Sequence, residues 1–593
     1  MGLSTNWDLT KLYPSFDSDE FKSDMQKAKE DLEKAGKWAE TELLDYSDTE
    51  QKLIKIIEET NEQMTLEWRL SSFTQLTLAT DATNETALGM LDRLEKIILE
   101  GQILLSKFTR FIGGVENLQQ TIDANNKLKE YDYFLNEIYK ASKHLLSDDV
   151  EKAVARLSLT GGNAWSRMRD MIDGTMTVEI EQDGEMKSLP LPMVRNMAYD
   201  KDPEVRKKAY EAELAAYKKI EMPLSHALNA IKGENIAMCE MRGYDSILGK
   251  TLEDSRMSKD VLDAMLSAME DAMPDFRRYM KAKAKYLGHD KGMPFYDMFA
   301  PIGANANMKF TYEEAHEFLV DTFKGFSEEM SAFIDYAFKN RWIDALPKEG
   351  KGGGAFCANL PFIGESRVLS NFDGSFSSVG TLAHELGHAW HGHCLKHLPI
   401  VKTNYPMPLA ETASIFNEGV VTDAVLKTAD DDTKLAIIEA ELMDATQVLV
   451  DIYSRYLFES KVIEVRHDHG MSVNEIKEAM LDAQKKAYGD GLDENTLHPY
   501  MWACKSHYYI PDLAFYNWPY AFGLLFGKCI AAAYRKAPEG FVERYKELLA
   551  ATGSADVVDV AKMMNIDLTK KETWKQALDG LVEKVDEFCE LVK

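Results

Sequence analysis

The sequence predicts a mainly α-helical protein with a small amount of β-structure. Apolar residues recur at the spacing of buried helix faces over most of residues 1–172 and again from about 200 to 345. Strand-like patterns are confined to short stretches such as 176–191 and 366–372. At 593 residues the chain is too long for one simple core, so we expect a multi-helical fold with two or more lobes.

The N-terminal region, residues 1–110, is expected to form long helices. Asp17 and Asp19 lie near the start of the first, and the second opens at Ser47-Asp48-Thr49-Glu50, where capping residues precede an apolar run. A third runs from about Glu85 to Phe111, with leucine and isoleucine at helical intervals. We therefore predict a helical region of its own here.

A second predicted domain, residues 111–200, continues helically and contains a β-hairpin. Strand-like residues flank Gln182-Asp183-Gly184, which is a turn sequence. Asp202 followed by Pro203 predicts a helix start, because Asp caps a helix and Pro suits its first position. We place a domain boundary near residue 200 and predict that residues 201–593 form a third domain.

Composition restricts the partners and the compartment. A formal net charge of −29 and a pI of about 5.0 disfavour a nucleic acid or an anionic membrane as partner. No apolar run reaches the roughly eighteen residues of a membrane span, and the first residues lack the pattern of a secretory signal. The six cysteines contain no Cys-x-x-Cys pair, which fits a reducing compartment. We expect a cytoplasmic protein.

The segment Thr381–His391 contains a His-Glu-x-x-His motif. On an α-helix, His384 and His388 lie one turn apart on the same face, so a ring nitrogen of each can reach one zinc ion. Glu385 can face the same cavity without binding the metal and would take a proton from a zinc-bound water. A histidine-rich polar helix face gives the same pattern, so a hydrolytic zinc centre needs further support from the chain.

The flanks of the motif support a helix with one buried side. The apolar residues at helical spacing are Val379, Leu382, Ala383, Leu386 and Trp390. Gly387 costs about 1 kcal/mol in a helix interior, so its presence predicts the close approach of another backbone. His391 lies on the ligand face, seven residues after His384, and is expected to support the site or to pack against it.

A catalytic zinc ion needs a third protein ligand. The longer metzincin motif is excluded, because His391 and Cys394 occupy the positions of its glycine and its third histidine. Glu411 and Glu418 are seven residues apart in a helix that Pro408 can start, so both can lie on one face. One carboxylate would bind zinc and the other would orient a ligand imidazole, and the spacing does not decide between them.

A predicted strand, Ser366–Phe372, lies shortly before the motif helix and indicates a small β-sheet near the active site. This strand either offers its backbone to an extended peptide or packs beneath the site, and the sequence favours neither alternative. Asn371, within the strand, is a candidate substrate contact.

Aromatic side chains are dense between Met501 and Gly523. Such density usually indicates a core or an interface. Peptide hydrolysis, however, develops negative charge on the former carbonyl oxygen, and neutral His or Tyr donors can stabilise it. The histidine and the tyrosines of this block are therefore candidates for contact with a peptide.

In order and spacing, these features resemble oligoendopeptidase F, a member of the thimet-oligopeptidase-like zinc metallopeptidases. The matching segments are Trp7-Asp8-Leu9 with Leu12-Tyr13-Pro14, Thr381–His391, Glu411–Ser414 with Glu418, and His507–Gly523. They extend across nearly the whole chain, and the last one is close to the family's Phe-Tyr-Asn-aromatic-Pro-Tyr signature.

The resemblance implies a zincin-type metallopeptidase with two lobes around a deep channel that excludes folded proteins. Residues 111–200 would then be an oligoendopeptidase F N-terminal-type domain, and residues 201–593 the catalytic zinc metallopeptidase domain. It implies one zinc ion per chain, bound by His384, His388 and Glu411, with Glu385 as the general base. Glu418 is then the carboxylate that supports a ligand from behind.

For the aromatic block, the resemblance implies that His507 and nearby tyrosines contact the substrate and the tetrahedral intermediate. Tyr520 is favoured among the tyrosines and Tyr516 comes second, while Tyr508 and Tyr509 are candidate substrate contacts. Thimet oligopeptidases have a Gly-rich loop after the equivalent histidine, and this chain has Tyr-Tyr-Ile-Pro-Asp instead.

The expected function is hydrolysis of internal bonds in short peptides. An exopeptidase of the same zinc class, such as a dipeptidyl carboxypeptidase, would need a clamp for a peptide terminus, and the sequence identifies none. A non-catalytic peptide-binding protein would be indicated by loss of Glu385 or Glu411, and both are present. The oligomeric state is not determined by the sequence.

Overall fold

The computed structural model describes residues 2–182, 184–303 and 308–593, which form a mainly helical fold with small β-sheets. This confirms the predicted fold class. By their contacts the residues divide into two units: unit 1 is Met1–Leu145, Met308–Val425 and Ala533–Asn565, and unit 2 is Leu146–Asn307, Leu426–Ala532 and Ile566–Lys593. The domain boundaries predicted near residues 110 and 200 stay a prediction.

The first part of unit 1 is helical, and its three long helices lie where they were predicted. The helices are α1 (Asp19–Glu42), α2 (Thr49–Thr80), α3 (Glu85–Gly113), α4 (Leu118–Ala124), α5 (Asn126–Lys129) and α6 (Asp132–Ser142). Ser18 starts α1 by accepting a hydrogen bond from the backbone N–H of Phe21 at 3.2 Å.

The first part of unit 2 contains the predicted hairpin and a long helix. Its elements are α7 (Asp148–Ser158), α8 (Gly162–Thr175), β1 (Thr177–Gln182), β2 (Glu185–Pro190), α9 (Leu191–Asn196), α10 (Pro203–Arg242), α11 (Ile247–Asp254) and α12 (Lys259–Tyr286). Strands β1 and β2 pair antiparallel, and Asp183 of the predicted turn lies outside the described residues. The Asp202 carboxylate caps α10 by accepting from the N–H of Glu204 at 2.9 Å, as predicted.

The second part of unit 1 contains the motif helix and a small sheet. Its elements are α13 (Tyr312–Lys324), α14 (Glu328–Lys339), β3 (Ile343–Asp344), β4 (Phe356–Leu360), β5 (Glu365–Leu369), α15 (Phe376–Leu395), α16 (Met407–Ala410) and α17 (Thr412–Leu426). The predicted strand corresponds to β5, which lies between β3 and β4 and is buried at every position. It therefore packs inside the unit instead of offering an edge to an extended peptide.

The remaining helices complete both units. They are α18 (Asp431–Thr446), α19 (Ile452–Arg466), α20 (Val473–Tyr488), α21 (Met501–Cys504), α22 (Trp518–Lys536), α23 (Phe541–Ala551), α24 (Val557–Lys562) and α25 (Lys571–Leu591). A π-helical turn, Gln447–Asp451, joins α18 to α19. Within the described ranges, no helix combines the length and the apolar character that crossing a membrane requires.

Candidate functional site

Helix α15 carries the His-Glu-x-x-His motif and buries its opposite side, as predicted. Its start is capped by the hydroxyl of Ser375, which accepts from the N–H of Ser378 at 3.2 Å. The buried apolar residues include Val379, Leu382, Ala383, Leu386 and Trp390. This burial holds the helix so that both motif histidines share the other face.

His384, His388 and Glu411 come together at one point. The Nε2 atoms of the two imidazoles are 3.2 Å apart, and Oε2 of Glu411 lies 3.3 Å from Nε2 of His384 and 3.4 Å from that of His388. Among the described residues, these three form the one group of such side chains able to hold a metal ion. Two imidazoles and a carboxylate are a donor set that suits zinc with an open fourth position.

The two carboxylates that the spacing could not distinguish reach different nitrogens of His384. Glu411 approaches Nε2, whereas Oε1 of Glu418 makes a short contact with Nδ1. Glu411 lies at the junction of α16 and α17, so the expectation of one helix from Pro408 through Glu418 is wrong. A carboxylate on the second ring nitrogen is the usual way in which a ligand imidazole is oriented.

The charges at this point favour a cation. Burial disfavours a charged imidazole, yet hydrogen bonds to Glu411 and Glu418 raise the pKa of His384 to about 10. Burial works against the Glu411 carboxylate, but His384 and His388 hold the pKa of Glu411 well below its ordinary value. A group of side chains that stabilises positive charge and presents three convergent ligand atoms fits a metal ion.

Glu385 is buried beside this group, with 5% of the residue exposed. In the part of the chain that the structure describes, its Oε2 atom has no hydrogen-bond partner. Burial raises the pKa of Glu385, against the opposing positive charge of His384 and His388. A carboxyl group with a raised pKa is suited to take up and release a proton near neutral pH.

Two contacts hold α17 against α15. The side-chain amide of Asn417 donates to the backbone carbonyl of Ala383 at 3.1 Å. A Cβ atom on Gly387 would lie 2.6 Å from the carbonyl oxygen of Ala413 and 2.6 Å from Cα of Ser414. This is the close backbone approach that the glycine predicted. Sequence reasoning missed Asn417, because its partner is a main-chain group that no residue pattern marks.

Substitution of Gly387 by Ala is expected to separate α15 from α17. The added methyl group meets backbone atoms that cannot rotate away, so we expect a loss of about 1–3 kcal/mol of unfolding free energy. Metal affinity should fall as well, because α17 begins next to Glu411. Urea unfolding and metal titration measure the two effects.

The matched control is Gly380→Ala on the same helix, where a Cβ atom meets nothing within 4 Å. There the higher helix propensity of alanine should raise stability by up to about 1 kcal/mol. Equal behaviour of the two variants would contradict the packing role of Gly387.

His391 and Asn371 make structural contacts within unit 1. The imidazole of His391 bonds to Oγ1 of Thr552 at 2.8 Å and stacks on Tyr405, with ring centroids 4.2 Å apart. Burial lowers the pKa of His391 to about 3, so its ring is neutral. Asn371 donates to two glycine carbonyls of the segment 352–354, at 3.0 and 2.8 Å, and so holds that loop. Its role as a substrate contact stays a prediction.

In unit 2, the rings of His507, Tyr516 and Tyr520 form a cluster. The ring centroids are 4.8 Å apart for His507 and Tyr516, 6.1 Å for His507 and Tyr520, and 5.4 Å for the two tyrosines. Burial, together with the positive charges of Arg455 and Lys505, lowers the pKa of His507 to about 4. The cluster therefore presents a neutral imidazole beside two phenols.

Tyr508 and Tyr509 lie inside unit 2, each about 1% exposed. The Tyr508 ring packs edge-on against Phe458 at 5.1 Å, and the Arg169 guanidinium lies 5.5 Å from the ring centre of Tyr509. This burial favours a packing role over substrate contact for both residues, and the prediction that they bind substrate is untested.

The mainly helical fold, the His-Glu-x-x-His helix and the carboxylate that joins its two histidines define a class of protein. This class is that of peptidases built around a candidate metal centre. Within that class, the chain belongs to peptidase family M3, whose sequence model matches residues 196–580. The model described as oligopeptidase F matches residues 114–177.

Curated relatives of known name cover most of the chain. Oligopeptidase PepF of Bacillus subtilis is 24% identical over 593 residues, which span 99% of this chain and 87% of that protein. An oligoendopeptidase F homolog of Lactococcus lactis is 26% identical over 473 residues, spanning 79% and 78% of the two chains. Together with the family match, these relatives support a peptidase function.

Solved structures share the fold. A putative peptidase from Chlamydophila abortus superposes with a TM-score of 0.83 at 21% identity, covering 99% of this chain and 98% of the other. Oligoendopeptidase-F from Enterococcus faecium gives a TM-score of 0.71 at 18% identity, with coverage of 97% and 99%. At such identities the likeness shows the fold alone.

Proposed function

We propose that this peptidase is a zinc-dependent endopeptidase that hydrolyses internal bonds of short oligopeptides. The proposal rests on one observation, the convergence of His384, His388 and Glu411 beside the buried Glu385. The names of the relatives, oligopeptidase and oligoendopeptidase, support short substrates and internal cleavage.

Three side chains would hold the metal ion. These are His384 and His388 through their Nε2 atoms and Glu411 through a carboxylate oxygen. When bound, zinc would supply Lewis-acid activation of the peptide carbonyl and of a water molecule. Glu418, at Nδ1 of His384, keeps the other nitrogen of that ring turned toward the ligand group.

Proton transfer is the proposed role of Glu385. Its carboxylate takes a proton from the attacking water and later delivers it to the amine nitrogen of the leaving peptide. His507 and Tyr520, with Tyr516 as the second choice among the tyrosines, donate hydrogen bonds to the negative charge that develops on the carbonyl oxygen.

The proposed location is the cytoplasm. None of the six cysteines, all of which lie in the described ranges, forms a disulfide. Unpaired thiols fit a reducing compartment. With a net charge of −29, peptides are a more suitable partner than nucleic acid.

Cleavage of a short, internally quenched peptide that is blocked at both ends tests the proposed function. The zinc-loaded protein is expected to cut it at an internal bond, which the product masses locate. Activity should disappear when a chelator removes the metal and return when zinc is added back.

The control substrate is the same peptide with free ends. Cleavage of the free-ended peptide alone would identify an exopeptidase and overturn the internal-cleavage proposal. Binding of both peptides by zinc-loaded protein without any cleavage would indicate a non-catalytic peptide-binding protein.

A further inference from the structure

The side chain of Arg455, on α19, faces the ring of His507 within unit 2. One terminal nitrogen of the guanidinium lies 2.8 Å from Nδ1 of His507, and only 8% of Arg455 is exposed. A guanidinium carries donors and no acceptor, so Nδ1 accepts this hydrogen bond. A neutral imidazole has a single ring proton, which is therefore on Nε2.

The groups around the ring keep it neutral. Burial is the largest effect that disfavours the imidazolium, and the positive charges of Arg455 and Lys505 disfavour it further. Together they lower the pKa of His507 to about 4. The phenols of Tyr516 and Tyr520 also face the ring. Near neutral pH, His507 therefore has no charge and has one N–H donor.

Arg455 is the middle member of a stripe with Asp451 and Glu459, which follow one another at four-residue intervals on one helix face. Oδ2 of Asp451 lies 3.7 Å from Nζ of Lys505, and Oε2 of Glu459 accepts from the amide of Asn517 at 3.0 Å. The stripe therefore contacts the chain on both sides of His507, at Lys505 before it and at Asn517 after it. Its two carboxylates also balance the buried guanidinium charge.

We propose that Arg455 is a positioning residue, which holds His507 as the neutral tautomer that donates through Nε2 to the peptide during hydrolysis. This inference rests on the proposed function, in which His507 contacts the developing oxyanion. Without the guanidinium, a neutral ring would share its proton between Nδ1 and Nε2, and only one of these forms presents the required donor.

The first readout is the state of the ring nitrogens and needs no enzymatic activity. In protein labelled with nitrogen-15 histidine, His507→Phe identifies the signals of His507 by their loss. We expect wild type near neutral pH to show a protonated Nε2 and an unprotonated Nδ1. Arg455→Met should give mixed or doubly protonated signals, whereas Arg455→Lys keeps a donor and should retain much of the wild-type pattern.

The matched control is Lys461→Met, which removes a cationic side chain from an exposed position of the same helix, α19. Lys461 pairs with Glu464, so the nitrogen signals of His507 should not change in this variant. Wild-type signals in Arg455→Met would overturn the proposal, as would an altered tautomer in Lys461→Met.

Kinetics supply the second readout. Arg455→Met should lower kcat by about 10- to 100-fold with little change in KM, because a donor to the transition state is misplaced. In a His507→Phe background the same substitution should have no further effect, since Arg455 acts through the imidazole. Independent, multiplying losses in the double variant would overturn the proposal.

Failure of the proposed function is distinguishable from failure of this inference. If wild type cut no peptide, the proposed function would fall, and the nitrogen signals would still decide whether Arg455 sets the tautomer. If wild type cut peptides and Arg455→Met kept both its signals and its kcat, only the positioning role would be overturned.

Discussion

Replacing Glu385 by Gln is expected to lower kcat by about 10²- to 10⁴-fold while the protein keeps its zinc. Glutamine has the shape of glutamate, but its amide cannot take a proton from the attacking water. Glu385 is also not one of the three side chains that converge on the candidate metal position. Initial rates with a quenched peptide and metal analysis of the purified variant measure the two expectations.

The matched control for this substitution is Glu95→Gln, which makes the same chemical change at an exposed position of α3. It should leave kcat and metal content unchanged. Turnover at the wild-type level in Glu385→Gln would remove the residue from proton transfer. A loss of zinc in that variant would instead assign it as a ligand.

Glu411→Gln is expected to weaken metal binding much more than Glu418→Gln. Glu411 lies at Nε2 of both histidines, whereas Glu418 contacts Nδ1 of His384. Loss of a carboxylate that, like Glu418, bonds to a ligand imidazole typically costs about 10- to 100-fold in metal affinity. Loss of one of three protein ligands should exceed that range and abolish measurable turnover.

Competition with a chromophoric chelator measures both zinc affinities under identical conditions. The pair is its own control, because both substitutions replace glutamate by glutamine, the first directly before α17 and the second within it. Equal losses, or a larger loss in Glu418→Gln, would contradict the assignment of Glu411 as the ligand. Rates at saturating zinc should recover in Glu418→Gln and stay absent in Glu411→Gln.

Much of the fold follows from local rules of sequence. The three long N-terminal helices lie where the sequence pattern predicts them, and the hairpin and the Asp202 cap do as well. These signals are read from neighbouring residues, because a cap or a buried face depends on residues within a few positions of one another.

Packing between distant segments was harder to anticipate. The strand that could have received a peptide, β5, lies between two others, because β3 and β4 pair on either side of it. Tyr508 and Tyr509 are candidate substrate contacts in the sequence analysis, and the structure shows that both side chains are buried; their role stays a prediction. A tyrosine in a loop and a tyrosine in a core have the same local pattern, so burial cannot be read from it.

The sequence by itself determined that His384 and His388 share one helix face, because a four-residue interval fixes that geometry within any α-helix. It also predicted a close approach at Gly387. Only the tertiary structure decided which nitrogen atoms the two glutamates approach. Glu411 lies near Nε2 of both His384 and His388, whereas Glu418 contacts Nδ1 of His384. The physical reason is that helix periodicity acts over a few residues, whereas groups distant in sequence meet through the packing of separate elements.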